Sequence, residues 1–123
     1  MILYHYTDVT GYNGINSTNV LMPSRDSMID ATHGPGHYFT DLSPDACDKL
    51  IAWYCWRNKN LTDRVQYFLQ CDIPYGVYRW CKGHVYLVLE GAVSNFNLQR
   101  KGSKPYCRSK PCDICYSDPT RSL

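Results

Sequence analysis

The sequence predicts a single α+β domain, and three observations carry that expectation. The chain has 123 residues, enough to bury about two thirds of its extended-chain surface in one core and too few for a second one. Several short stretches alternate with a period of two or are rich in β-forming residues, and two others carry helical spacing and start signals. The composition is 44% hydrophobic and 20% charged, which is globular. A net charge of +2 is too small to direct the chain to nucleic acid or anionic lipid. Eleven Tyr and three Trp against three Phe favour side chains with an apolar body and a polar tip, which suit a half-buried cleft as well as a core.

Residues 2–6, ILYHY, read as a first strand alternating around Leu3 and His5. A helix of about two turns follows from near Thr10, with Tyr12 and Ile15 on one side and the polar run INSTNV ending it. Val20 to Met22 form a brief strand, and the loop after it is of the length that usually carries function. Gly34, Pro35 and Gly36 then give a turn of fixed shape without side-chain bulk. Tyr38-Phe39-Thr40 reads as a short strand of high β-propensity.

A helix is predicted next, with Ser43 as its cap, Pro44 at the first helical position and Asp45 and Asp48 near the positive end of its dipole. It runs to about Arg57 and places Ala46, Leu50, Trp53 and Tyr54 on one side. RVQYFLQCDI, residues 64–73, is a strand by period two, with Val65, Tyr67, Leu69, Cys71 and Ile73 on one face. VYRW is a short edge strand, HVYLVLEG a central strand and VSNFNL the last one. The domain proper spans residues 1–100, and residues 101–123 form a polar, aperiodic, Cys-containing tail on it.

Seven cysteines cannot form a complete intrachain disulfide set. Cys47, Cys55, Cys71 and Cys81 fall in structured segments and behave there as small apolar residues. Cys107, Cys112 and Cys115 crowd the tail, where zinc, a disulfide and plain thiols all remain open. Cys81 and His84 could complete a zinc site with Cys112 and Cys115. The residues after Met1 contain no basic signal region, and no apolar run reaches membrane-spanning length. The expectation is a soluble, cytoplasmic monomer without a membrane partner.

LYHYTD followed, after a Gly-rich turn, by GPGHYFTDLSP resembles the signature of the HYD-signature ADP-ribosyltransferase clade. That clade is similar to the diphtheria-toxin and poly-ADP-ribose-polymerase branch of the superfamily. The match covers residues 2–45 well, and residues 64–98 agree in their order of strands. The resemblance implies a split antiparallel sheet with NAD as substrate in the cleft, and an acceptor macromolecule, protein or nucleic acid. It assigns His5, through a donor nitrogen, to the adenosine ribose and the Tyr6 backbone to the nicotinamide amide. Tyr38 stacks on the nicotinamide, Trp53 or Tyr54 supplies a second aromatic, and Gly34 and Gly36 leave room for the dinucleotide.

The third catalytic group departs from the pattern. In the branch a Glu begins the central strand, where this chain has Gly83 or His84. Glu90 lies at the other end, about 17 Å along a straight strand. Three alternatives follow: Glu90 acts through a different register, Asp41 supplies the charge, or the chain binds NAD or ADP-ribose without turnover. Water as acceptor would make the protein an NAD glycohydrolase. A reading of another class, a small zinc-stabilised interaction module, rests on the cysteine spacing.

Overall fold

The computed structural model describes residues 1–18, 36–89 and 98–105. The elements are β1 (Ile2–Thr7), α1 (Val9–Thr18), β2 (Gly36–Thr40), α2 (Asp48–Trp56), a 3₁₀ turn (Thr62–Val65), β3 (Tyr67–Asp72), β4 (Tyr78–Lys82), β5 (Val85–Leu89) and β6 (Leu98–Ser103). All strand pairs are antiparallel, in the order β4-β5-β2-β1-β3-β6.

The α+β class and the antiparallel pairing follow the expectation, but the six strands belong to one sheet instead of two. That sheet is thin in the middle. Every residue of β1 is paired with β3, from Ile2↔Asp72 to Thr7↔Tyr67, and every residue of β2 with β5, from Gly36↔Leu89 to Thr40↔Val85. Between β1 and β2 the ladder consists of Tyr4↔Thr40 alone. Two three-stranded halves, β4-β5-β2 and β1-β3-β6, thus meet at one backbone pair.

The sheet buries both faces, because its strands alternate two sets of apolar residues. On one face Leu3, Phe39, Leu69, Cys71, Ile73 and Val88 form a core covered by Tyr12 and Ile15 of α1. On the other, Tyr6 and Phe68 pack against Ile51 and Ala52 of α2 and Val65 of the 3₁₀ turn. The period-two reading of β3 holds for Tyr67, Leu69, Cys71 and Ile73. Val65 joins the opposite core because the chain turns there before the strand begins.

Helix α1 is capped by Asp8, whose carboxylate accepts the Gly11 N–H at 2.8 Å, and it continues through the polar run to Thr18 instead of ending there. Helix α2 begins at Asp48, four residues later than a Pro44 start predicts. Ser43 to Ala46 form a turn closed by Ala46 N–H to Ser43 O at 3.0 Å, and Cys47, extended at φ −62°, ψ 134°, precedes the first helical residue. The helix ends as expected at Arg57, in the left-handed conformation with φ 55°. Its core-facing side is Ile51 and Ala52, with Cys55 and Trp56, and Ala46 from the preceding turn packs on the same cluster. The helix packs closely on the 3₁₀ turn that carries Val65.

Strand β4 is an edge strand as read from the sequence, and β5 is internal but one place from that edge. Among the described residues the last strand is Leu98–Ser103; of the expected strand VSNFNL, residues 93–97 lie outside the described residues. Five of the six residues of Leu98–Ser103 are exposed, so it carries no apolar alternation to reveal it, and it runs across position 101 into what reads as tail. Lys104 N–H then donates to Gln66 O at 2.8 Å. The expected strand at Val20 to Met22, Gly34, Glu90 and the three tail cysteines lie outside the described residues.

Gly36 opens β2 with φ +153°, and an added Cβ would stand 2.6 Å from Leu87 Cδ1 and 2.8 Å from the Val88 carbonyl oxygen. The reason the structure gives for this glycine is therefore the close approach of β5. Gly36→Ala should destabilise the protein by about 1–3 kcal/mol through overpacking, on top of the strained φ, and a chemical denaturation curve reads the loss. An unchanged midpoint would show that β2 and β5 are not packed this tightly.

Candidate active site

Where the β1–β2 ladder stops, a side chain takes over. His5 Nδ1 lies 2.9 Å from the Tyr38 carbonyl oxygen. A carbonyl can only accept, so Nδ1 carries the proton and donates it. The imidazole does the work of a ladder amide across the join, and its edge rests on the Phe39 ring at 5.9 Å between centroids. Burial pushes the His5 pKa below its usual 6.5, the bond to Tyr38 partly opposes this, and neighbouring His37 lowers it further. The neutral ring then has a lone pair at Nε2. The sequence reading gives His5 a donor toward a sugar hydroxyl; the nitrogen that remains is an acceptor.

Asp41 follows β2 and stands opposite the residue that precedes β5. Its backbone N–H donates to His84 O at 3.3 Å, and its carboxylate holds His84 Nδ1 at 2.6 Å through one oxygen. The Tyr86 hydroxyl donates to the other oxygen at 3.2 Å. Burial first, and then the Asp41 charge, raise the Tyr86 pKa and keep that hydroxyl protonated. The Tyr54 ring meets His84 edge-on with centroids 4.6 Å apart. Asp41, His84, Tyr86 and Tyr54 therefore form one polar-aromatic cluster at the start of β5, where the strand itself has no carboxylate. The antiparallel partner strand delivers it.

Tyr38 is half-buried and, by strand alternation, leaves the sheet on the side opposite Phe39, the side on which α2 packs. Trp53 and Tyr54 are half-buried on that helix. The Arg57 guanidinium lies over the Trp53 ring at 5.4 Å, and the Trp53 indole N–H is buried without a hydrogen-bond partner among the described residues. Tyr6 is a core residue, 4% exposed; its hydroxyl donates to Leu42 O at 2.7 Å, and burial drives its pKa far upward. The His5 imidazole is thus bonded to the Tyr38 carbonyl and rests on Phe39, while the Tyr38 ring leaves the sheet on the opposite side; Tyr54 meets the Asp41–His84 pair through His84.

With that geometry in view, the family comparison is decisive. The family model described as HYD1 signature containing ADP-ribosyltransferase matches residues 3–99. The chain belongs to this family. No curated protein and no solved structure matched it. An ADP-ribosyltransferase family implies NAD as the general substrate together with an acceptor. Among the described residues no helix is long and apolar enough to cross a membrane, and no three metal-ligating side chains come together. His84 turns its Nδ1 to Asp41, and Cys81 Sγ lies 3.7 Å from Arg79 O. Cys55 and Cys71 remain thiols, each pushed up to about 12 by burial, in keeping with their reading as small apolar residues.

Sequence reasoning names Asp41 and touches His84 without joining them. The signal was present: GHYFTD ends in a carboxylate, HVYLVL begins with an imidazole, and antiparallel pairing of the two sets end against start. The depressed His5 pKa has a sign that can be measured. Below 6.5 the unfolded chain takes up a proton at His5 that the folded protein refuses, so stability is full above that pH and falls as the pH drops. Unfolding free energy should decline between about pH 7.5 and about 5.5. His5→Asn, whose amide can still donate to the Tyr38 carbonyl, should show a shallower decline in denaturant titrations; an equal slope would remove His5 as the cause.

Proposed function

We propose that the chain binds NAD where β1 and β2 part and transfers its ADP-ribose to an acceptor with release of nicotinamide. The observation that carries this reading is the His5-to-Tyr38 bond, which fastens the two signature motifs to each other at the thinnest point of the sheet. His5 Nε2 accepts a hydrogen bond from a ribose hydroxyl, worth about 1 kcal/mol net, and the Tyr6 main chain meets the nicotinamide amide. Tyr38 stacks on the nicotinamide ring, a contact of about 0.5–1.5 kcal/mol beyond burial, and Trp53 or Tyr54 closes the other side from α2.

Cleavage of the glycosidic bond sends its electron pair to the pyridinium nitrogen, so nicotinamide leaves neutral and positive charge grows on the ribose. A carboxylate fixed in advance stabilises that charge as it develops, without reorganisation. Asp41 suits this role. Its oxygens are already oriented by His84 and Tyr86, and it directly follows the strand that carries Tyr38.

The test is nicotinamide release from NAD by the wild type, Tyr38→Ala and Asp41→Asn, with NAD affinity measured by calorimetry on each. Asp41→Asn should lower release by about 100-fold or more while changing affinity only a few-fold, and Tyr38→Ala should weaken binding. Turnover that survives Asp41→Asn would remove Asp41 from the chemistry. Binding by the wild type without any turnover would select the NAD-binding module over the transferase, and free ADP-ribose as the only product would make the protein a glycohydrolase.

A further inference from the structure

His84 has no part in the NAD contacts above, yet two residues of that reading touch it: Asp41 at 2.6 Å and Tyr54 at 4.6 Å between centroids. Its side chain is 40% exposed, so it is reachable from solvent. With Nδ1 donating to the Asp41 carboxylate, a neutral His84 has its lone pair at Nε2, and among the described residues nothing bonds to that atom. A carboxylate that fixes tautomer and ring orientation, with the opposite nitrogen open, is the arrangement of a general base.

We infer that His84 takes the proton of the incoming acceptor, with Asp41 as its positioning partner, and that the acceptor is consequently a hydroxyl group and not a carboxylate. The inference rests on the NAD reading above. The step balances simply. The glycosidic C–N bond breaks and its electrons go to nicotinamide; the acceptor oxygen forms the new bond to the ribose carbon; the O–H proton passes to His84 Nε2 and then to solvent. A carboxylate acceptor is already ionised at neutral pH and has no proton to give, so it would need no base. It would also be repelled by Asp41 as it approached. A neutral hydroxyl meets neither obstacle.

The charged and titratable groups around the imidazole are Asp41 after β2, Tyr86 on β5 and Tyr54 on α2, with the Cys55 thiol also on α2 and within electrostatic range of Asp41. Of these, His84 is the group whose open nitrogen can receive the proton of an acceptor hydroxyl.

The experiment gives the full chain NAD together with methanol or acetate and separates nicotinamide, ADP-ribose and methyl-ADP-ribose by chromatography. The wild type should form methyl-ADP-ribose and no acetyl ester. His84→Ala should lose both the water and the methanol products by about 100-fold or more, keep its NAD affinity within about two-fold, and recover rate when imidazole is added. His84→Ala that binds NAD and turns over at the wild-type rate overturns the inference, as does a loss that imidazole leaves untouched while the pH profile keeps its wild-type shape. Preferred formation of the acetate ester by the wild type also overturns it. Should His84→Ala not fold, the wild type alone decides: its rate must follow the deprotonated fraction of His84 observed by nuclear magnetic resonance, and a rate independent of that fraction rejects the base. A wild type that neither binds nor cleaves NAD fails the underlying reading itself, a result distinct from all of these.

Discussion

The structure depends on how two half-sheets are held together at β1 and β2. One backbone pair, Tyr4↔Thr40, is a narrow seam for a six-stranded sheet, and beyond it the hydrogen-bonding duty passes to the His5 imidazole and the Tyr38 carbonyl. A side chain in that position has a property that a backbone amide lacks. It satisfies the neighbouring strand with one nitrogen and keeps a second for something else. Each half has its own full ladder, and the core of Leu3, Phe39, Leu69 and Val88 spans both halves, so the seam can be thin without loss of the fold.

The same logic recurs at the other end of β2. Asp41 is held by His84 and Tyr86, and its neighbour Thr40 is 1% exposed, so the carboxylate is anchored between a packed strand and two donors. Orientation in advance of reaction is what gives a fixed charge its value against a developing cation. The Tyr54 contact ties this corner to α2, and α2 is seated on the sheet by Ile51 and Ala52.

Much of this was legible in the sequence, where physical signals were local. Alternation revealed β1 and β3, and the two signature motifs announced the family. The α2 start was misread because Ser43-Pro44 has the chemistry of a helix cap and is used here in a turn, a choice made by the buried Pro44 and the tertiary packing that precedes Asp48. β6 was hidden because an exposed edge strand of Arg100, Lys101 and Gly102 has no apolar period. The Asp41–His84 pair spans 43 positions and emerges only when strand pairing is known, which is why a missing carboxylate at the start of β5 looked like a defect.

The most direct measurement is of the His5 ring itself, by long-range ¹H–¹⁵N nuclear magnetic resonance on the full chain with and without NAD. The account predicts a neutral imidazole protonated at Nδ1 near neutral pH, with an Nε2 resonance that shifts as NAD saturates the protein. A ring protonated at Nε2 instead, or one whose resonances ignore saturating NAD, would contradict it.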